Sequence, residues 1–502
     1  MSTAGPAASG PSSAAKPGTA PGSGSGGEGR AAREQALAHD LAARLGAGAV
    51  TGLTRLSGGA SRETWAFEAD GTPLILQRER PGGVRKAGMA TEVGLLRAAR
   101  AAGVPVPGVV RSDAEVSAGQ GGEALGPSWM IVDRVEGETI ARKILRDDAY
   151  ADARPVLAAQ CGDALARIHG IDPAAVPGLA ATDQVAQFRE ALDAVGEPHP
   201  AFELGFRWLE ANRPDRADRA AGVGAEAGPA AVVHGDFRNG NLVVGPDGLR
   251  AVLDWELAHL GDPLEDLGWL CVRAWRFGAE PRVGGFGDVD ELVGAYEATS
   301  GTTVDRAALH WWEVLGTLKW GIICVVQAST HLTGAIRSVE LAAIGRRVCE
   351  VEHDLLLLLP GDTSASGAID ALADSAADDP DAGYGGAPHD APTAGQLVEA
   401  VREFLEGDVM GATEGRVRFH SRVAAKALAI VERELAAGDG PSRAHAARLA
   451  ALGVGSDAEL AAGIRSGALD HRWDEVAAAV RATVADKLAV ANPTYATDTP
   501  RS

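Results

Sequence analysis

"VVHGDFRNGNLVVGPDGLRAVLDWE", residues 232–256, decides how the rest of the chain is read. A short apolar run ends at His234, a carboxylate follows at Asp236 and an amide at Asn241, and a later apolar run closes on Asp254. Short strands that end on a carboxylate, an amide and a second carboxylate bring oxygen ligands and a proton acceptor together. That set suits a hard cation and a proton in flight, the needs of phosphoryl transfer.

Outward from this stretch the chain changes character. From "YADARPVLAAQCGDALARIHGID" to "CEVEHDLLLLLP" the apolar residues recur at helical spacing, interrupted only by the segment around His234 to Asp254. Before it, "TGLTRLSG", "TWAFEAD", "GTPLILQRER", "GVVRSD" and "SWMIVDRVEG" predict five short strands, the second and third joined at a "DG" turn. Helices are predicted at "AAREQALAHDLAARLG" and "MATEVGLLRAARAAG". The expected fold class is α+β: an antiparallel-sheet lobe at 31–137, a helical lobe at 138–360 and a small all-α domain at 392–502. Residues 1–30, rich in Gly, Ala, Ser and Pro, are expected to be a disordered tail, and 361–391, rich in Asp without Lys or Arg, a flexible acidic linker. Truncation near residue 380 is therefore expected to leave the first two lobes folded.

Composition narrows the function. A 502-residue chain with 46% hydrophobic residues can bury sizeable cores, and a formal net charge of -21 with no Lys/Arg cluster argues against a nucleic-acid partner. The longest apolar run, "WGIICVVQA", is too short to cross a bilayer, and the N-terminus lacks a signal-peptide pattern, so the expectation is a soluble cytoplasmic protein without a membrane partner. Four scattered cysteines, Cys161, Cys271, Cys324 and Cys349, read as reduced core thiols.

A β-rich lobe followed by a helical lobe with such a segment is the organisation of a two-lobed kinase. "HGDFRNGN" and "LDWE" resemble the catalytic loop and metal-binding segment of the aminoglycoside phosphotransferase-like family, which has a protein-kinase-like fold. The continuation "LAHLGDPLEDLGWL" is most similar to the phosphotransferase-type domains associated with acyl-CoA dehydrogenases, and the likeness covers roughly residues 35–355. It implies an ATP- and Mg²⁺-dependent kinase acting on a small-molecule hydroxyl acceptor. A hydroxyacyl-CoA or related metabolite is the expected acceptor, and an aminoglycoside, choline-like or homoserine-like alcohol the alternative. A rival of another class is a nucleotide-binding pseudokinase acting through its C-terminal helices, which resemble helical domains of unassigned function.

By position in the motif, Asp236 matches the base that takes the acceptor's proton, and Asn241 and Asp254 match the Mg²⁺ ligands. Gly58, Gly59 and Ser61 in "SGGASRET" match a phosphate-binding turn, and Glu92 the helix carboxylate that anchors the phosphate-binding cation. Backbone groups from Asp133 to Val135 are placed to read adenine. Where kinases of this architecture carry a lysine on the third strand, "PLILQRERPGG" offers Gln77 and Arg78. Neighbouring side chains on a strand face opposite ways, so only one can point at the nucleotide. Gln77 fits the usual register slightly better, and Arg78, the only cation of the two, is assigned the phosphate. His234 and His169 are read as loop-orienting and carbonyl-capping groups, Asp262 and Asp266 as caps of the helix that follows, and Trp311, Trp312 and Trp320 as core. Glu256 is a lesser candidate for a site role.

Overall fold

The computed structural model describes residues 25–56, 62–79, 89–115, 124–214, 230–360 and 392–495. The chain divides into two compact units, residues 1–84 with 110–134, and residues 85–109 with 135–502.

The first unit is a five-stranded sheet backed by one helix. Strands β1 (Val50–Leu56), β2 (Arg62–Ala69), β3 (Thr72–Glu79), β4 (Val109–Ser112) and β5 (Trp129–Asp133) lie in the order β1-β2-β3-β5-β4, and the β1–β2, β2–β3 and β3–β5 pairs are antiparallel. The β2–β3 turn is Asp70-Gly71, both at positive φ (48° and 80°), the left-handed pair whose twist matches a tight hairpin. Asp70 does a second task there, since its carboxylate accepts the Gly48 and Ala49 N–H groups at 3.0 and 2.9 Å and ties the start of β1 to the turn. Alternate residues Trp65, Phe67 and Ala69 of β2, with Leu74 and Leu76 of β3 and Trp129 and Ile131 of β5, form one buried face. Helix α1 (Ser25–Leu45) covers it with Leu37 and Leu41. The helix begins within the stretch expected to be a disordered tail, so that boundary moves back to residue 25.

The helix predicted at "MATEVGLLRAARAAG" forms as α2 (Met89–Ala101), but it belongs to the second unit, where it packs on the turn Trp255–Leu257. Two very short strand pieces and a hairpin surround the opening motif. Strand β6 (Ala231–Val233) pairs with β9 (His259–Gly261), and β7 (Leu242–Gly245) with β8 (Gly248–Val252). Around them stand α3 (Arg154–His169), α4 (Gln184–Val195), α5 (Pro200–Ala211), α6 (Leu264–Cys271), α7 (Val289–Ser300), α8 (Arg306–Leu332) and α9 (Val348–Leu358). Helix α8 is the centre of this body. Asp305 caps its start by accepting the Ala307 N–H at 2.9 Å, and residues from Ala308 to Val325 are buried on most sides, the pattern of a core helix. Trp311 and Trp312 lie in this core as expected, the Trp311 indole N–H donating to the Leu209 carbonyl at 2.9 Å. All four cysteines are buried free thiols, and burial pushes Cys271, Cys324 and Cys349 up to about 12.

The C-terminal helices α10 (Ala394–Phe404), α11 (Gly415–Ala437), α12 (Asp457–Arg465) and α13 (Trp473–Ala491) were expected to form a separate module. Instead α12 packs on α5 and α13 on α9, inside the second unit. Ionic contacts cross this junction. Glu203 of α5, 3% exposed, accepts from Arg189 at 2.5 Å and from Arg465 at 2.7 Å. Glu352 of α9, 1% exposed, accepts from His199 at 3.0 Å and Lys487 at 3.1 Å, and the Tyr495 hydroxyl donates to Asp354 at 2.7 Å. Among the described residues no helix is long and apolar enough to cross a membrane.

Candidate active site

The loop between β6 and β7 carries Asp236. Its path depends on Gly235, at φ 78°, where a Cβ would lie 2.5 Å from the Leu257 carbonyl oxygen, so both the turn and the close approach exclude a side chain. Asp266, fully buried at the start of α6, accepts the His234 N–H (2.7 Å) and the Gly235 N–H (2.8 Å), and meets His169 Nε2 at 3.1 Å. Burial pushes its carboxyl up, but His169, His234 and the backbone N–H more than offset that and hold it below the usual range. Asp262 caps its helix by accepting the Leu264 N–H at 3.0 Å, as expected. Asp266 does not cap; it fixes the loop, and His169 serves it by pairing with that carboxylate and with the Tyr296 hydroxyl rather than with carbonyls. His234 orients the loop: Nε2 faces the Leu253 carbonyl at 3.0 Å and Nδ1 accepts the Asp236 N–H at 3.2 Å.

Asp236 is held by three donors. Its Oδ1 accepts from Arg238 Nε at 3.0 Å and from the Trp269 indole N–H at 2.9 Å, and its Oδ2 accepts from Asn241 Nδ2 at 2.7 Å. The side chain keeps 13% exposure, so the carboxylate is fixed in direction yet not sealed. Asn241 also donates to the Asp236 carbonyl at 2.9 Å. With its nitrogen committed twice, its amide oxygen is the atom left for a hard cation. The hairpin then explains why the second carboxylate is at hand. Leu242 pairs with Val252 and the Leu253 N–H donates to the Asn241 carbonyl at 2.8 Å, which sets Asn241 and Asp254 at the same open end. Asp254 is a non-glycine residue in the left-handed region (φ 69°, ψ 63°), a conformation that costs energy and is kept where the side chain must point one way. The donor set, one amide oxygen and one carboxylate, fits Mg²⁺, which is bound by few protein ligands.

Beneath the loop lies a cation that the sequence reading missed. Lys319 of α8, 6% exposed, donates to the Gly235 carbonyl at 3.0 Å, approaches Glu265 at 3.5 Å and sits 4.5 Å from the Trp269 ring. Its signal was a lone lysine inside an apolar helix, "TLKW". Trp269 meets Trp275 at 5.1 Å, Trp275 meets Trp320 at 4.9 Å, and the Arg238 guanidinium lies 4.7 Å from the Trp275 ring. Beside Asp236 there is therefore a buried indole cluster, Trp269 with Trp275, edged by the partly buried Trp320 and the part-exposed Arg238.

In the first unit the register of β3 corrects one assignment. Arg78 pairs across the ladder with Glu63 and shares the α1 face with Leu74 and Leu76. Glu63 holds it at 2.7 Å, and the Ala124 carbonyl accepts a further bond. Burial pushes the Glu63 carboxyl up, yet Arg78 and Arg55 together bring it below its ordinary value. An arginine so placed faces away from the side that carries Gln77. Glu92 is 2% exposed in the first turn of α2. Asp133 ends β5, and Val135 opens the next stretch of the second unit, so the segment chosen for adenine is where the chain leaves one unit for the other. Gly58, Gly59 and Ser61, and the linker 361–391, lie outside the described residues.

These features agree with what the chain is similar to. Residues 52–311, just over half of the chain, match the model of the phosphotransferase enzyme family, and residues 411–495 match a domain of unknown function, DUF6285. Acyl-CoA dehydrogenase family member 11 of Gallus gallus is 27% identical over 239 residues, 44% of this chain and 28% of the relative. Acyl-CoA dehydrogenase family member 10 of Mus musculus is 27% identical over 254 residues, 47% of this chain and 22% of the relative. The chain thus spans less than a third of the length of these relatives. A crystal structure assigned as an aminoglycoside phosphotransferase of Ralstonia eutropha aligns with TM-score 0.51 at 20% identity, covering 64% of this chain and 96% of that one. That likeness shows the fold, an antiparallel-sheet lobe and a helical lobe of the kinase-like type. With the motif, the lobes and the family model in agreement, the chain belongs to the phosphotransferase enzyme family.

Proposed function

We propose that this protein is a small-molecule kinase that moves the γ-phosphoryl group of ATP to an acceptor hydroxyl. The observation that carries this reading is the Asp236 carboxylate, aimed by Arg238, Trp269 and Asn241, beside the open hairpin end that bears Asn241 and Asp254. In this reading Asp236 takes the acceptor's proton, and its three donors keep the carboxylate from rotating out of line. Asn241 and Asp254 would hold Mg²⁺, which offsets phosphate charge when bound. Lys319, through the Gly235 carbonyl and the Trp269 ring, keeps the loop and the indole in register with each other.

The surroundings of Asp236 support an acceptor of the hydroxyacyl type over a polycation. The partly buried Trp320 at the edge of the indole cluster and the part-exposed Arg238 guanidinium favour an apolar chain with a neutral or anionic end, whereas an aminoglycoside calls for carboxylates around its ammonium groups. The likeness to acyl-CoA dehydrogenase relatives points the same way. The test is transfer from labelled ATP across a panel of hydroxyacyl-CoAs, amino alcohols and aminoglycosides. Labelling confined to hydroxyacyl-CoAs supports the reading, and preference for aminoglycosides overturns its finer part. ATP binding without transfer to any of them would favour the pseudokinase instead.

A further inference from the structure

The β3 register leaves the first unit with a neutral side chain where kinases of this architecture carry their cation. We propose that Arg62 of β2 supplies the charge, so that the phosphate-binding cation has moved one strand over and Gln77 has become its bracket. This rests on the nucleotide-binding reading above.

Three observations carry it. The ladder pairs Arg62 with Glu79, Glu63 with Arg78 and Thr64 with Gln77, so Arg62, Thr64 and Gln77 share the face opposite α1, while Glu63 and Arg78 share the α1 face. The Arg62 side chain runs diagonally to position 77, where its NH1 donates to Gln77 Oε1 at 2.7 Å. And Arg62 is only 4% exposed, a guanidinium taken out of water on a face otherwise lined by Thr64, Ala66, Ile75 and Gln77. Burying a charge there is costly unless anionic partners and good hydrogen bonds compensate. Glu79, its cross-strand neighbour, offers one carboxylate. A guanidinium carries five N–H donors in a fixed fork, so one group can serve protein acceptors such as Gln77 and phosphate oxygens together. The neutral amide is then the better residue at 77, because a lysine there would set two like charges side by side.

The test is calorimetric binding of ATP with Mg²⁺ to the full chain, with circular dichroism and melting to verify the fold. Arg62→Gln is expected to weaken ATP binding at least tenfold, and Arg78→Gln to stay within about twofold of wild type. The exchange Arg62→Gln with Gln77→Arg, which returns the charge to β3 and keeps the net charge of the face, is expected to recover most of the loss. If Arg62→Gln does not fold, the exchanged pair alone decides: binding near wild type supports the proposal, and lost binding in a folded chain overturns it. ATP binding unchanged in Arg62→Gln, or lost in Arg78→Gln, also overturns it and leaves the kinase reading standing. Absence of ATP binding by the wild type sinks both.

Discussion

Lys487→Met should reveal how strongly the C-terminal helices are tied to the rest. Glu352, on α9, is 1% exposed and has His199 and Lys487 as its ionic partners. Burial pushes its carboxyl up, but Lys487 and His199 overcome that and hold it down at about 2, against an ordinary 4.5. At about 1.36 kcal/mol per pKa unit the partners therefore contribute roughly 3 kcal/mol beyond the cost of burial. Breaking a buried pair costs about 3–5 kcal/mol by independent precedent. The Lys487 side chain is 43% exposed, so water screens part of its charge and the lower end applies, about 2–3 kcal/mol at pH 7. The sign follows from the depressed pKa. This stabilisation is present above pH 4.5 and is lost as pH falls toward 2, so the gap between wild type and variant should close in acid. Adding Glu352→Gln should recover much of the loss at pH 7, because no buried charge is then left alone. The assay is urea unfolding followed by tryptophan fluorescence at pH 7 and pH 3. A loss below about 0.5 kcal/mol at pH 7, or an equal loss at both pH values, would refute the argument.

Other outcomes follow from the site. Asp236→Asn should abolish phosphoryl transfer while calorimetry shows ATP affinity nearly intact, since the proton acceptor goes and the nucleotide contacts stay. Asp254→Ala should weaken Mg²⁺-dependent nucleotide binding itself, and Mg²⁺ titrations that match wild type would make Asp254 structural. Trp269→Phe keeps the ring over Lys319 but removes the 2.9 Å bond to Asp236; kcat should fall about tenfold with the KM for ATP unchanged, the size of one charged hydrogen bond. Asp354 titrates in the opposite sense to Glu352: burial pushes it up to about 7 from 3.8, so its contribution is full in acid and is lost as pH rises through 7. Asp354→Asn should therefore flatten the decline in urea stability between pH 4 and 8 by an amount on the order of a few kcal/mol, and an unchanged slope would count against a buried charge there.

The strands and the motif loop were legible because they are local. Alternation in "TWAFEAD" and the "DG" turn fix a hairpin without reference to distant residues, and Asp70 and Gly71 adopt the backbone that turn demands. Asp236, Asn241 and Asp254 were singled out by their place in the motif, and the structure brings Asn241 against the Asp236 carboxylate. Trp269, Lys319 and the true task of Asp266 were not legible, since each acts across 31 or more residues and nothing in helical periodicity says which buried side chain reaches a loop. The choice between Gln77 and Arg78 turned on parity. Counting two by two from Leu74 and Leu76 would have put Arg78 on the apolar face, but only the helix over that face reveals which side it is. The packing of the helical domain expected at 392–502 was not legible for a similar reason: acidic composition says nothing of Glu203, Glu352 and Asp354, the residues its helices close over. Truncation near residue 380 would leave those three acids without Arg465, Lys487 and Tyr495.

The bond between Lys319 and the Gly235 carbonyl spans 84 residues, and that distance has a meaning during synthesis. A chain leaves the ribosome from its N-terminus, so Asp236, Asn241 and Asp254 emerge first, Asp266 and Trp269 soon after, and the lysine much later. A nascent chain halted between residues 271 and 319 would own every oxygen ligand assigned to the metal yet lack the ammonium that holds the loop in place. The order of translation thus gives the loop its Asp266 and Trp269 contacts first, and its bond to Lys319 only once the central helix has arrived.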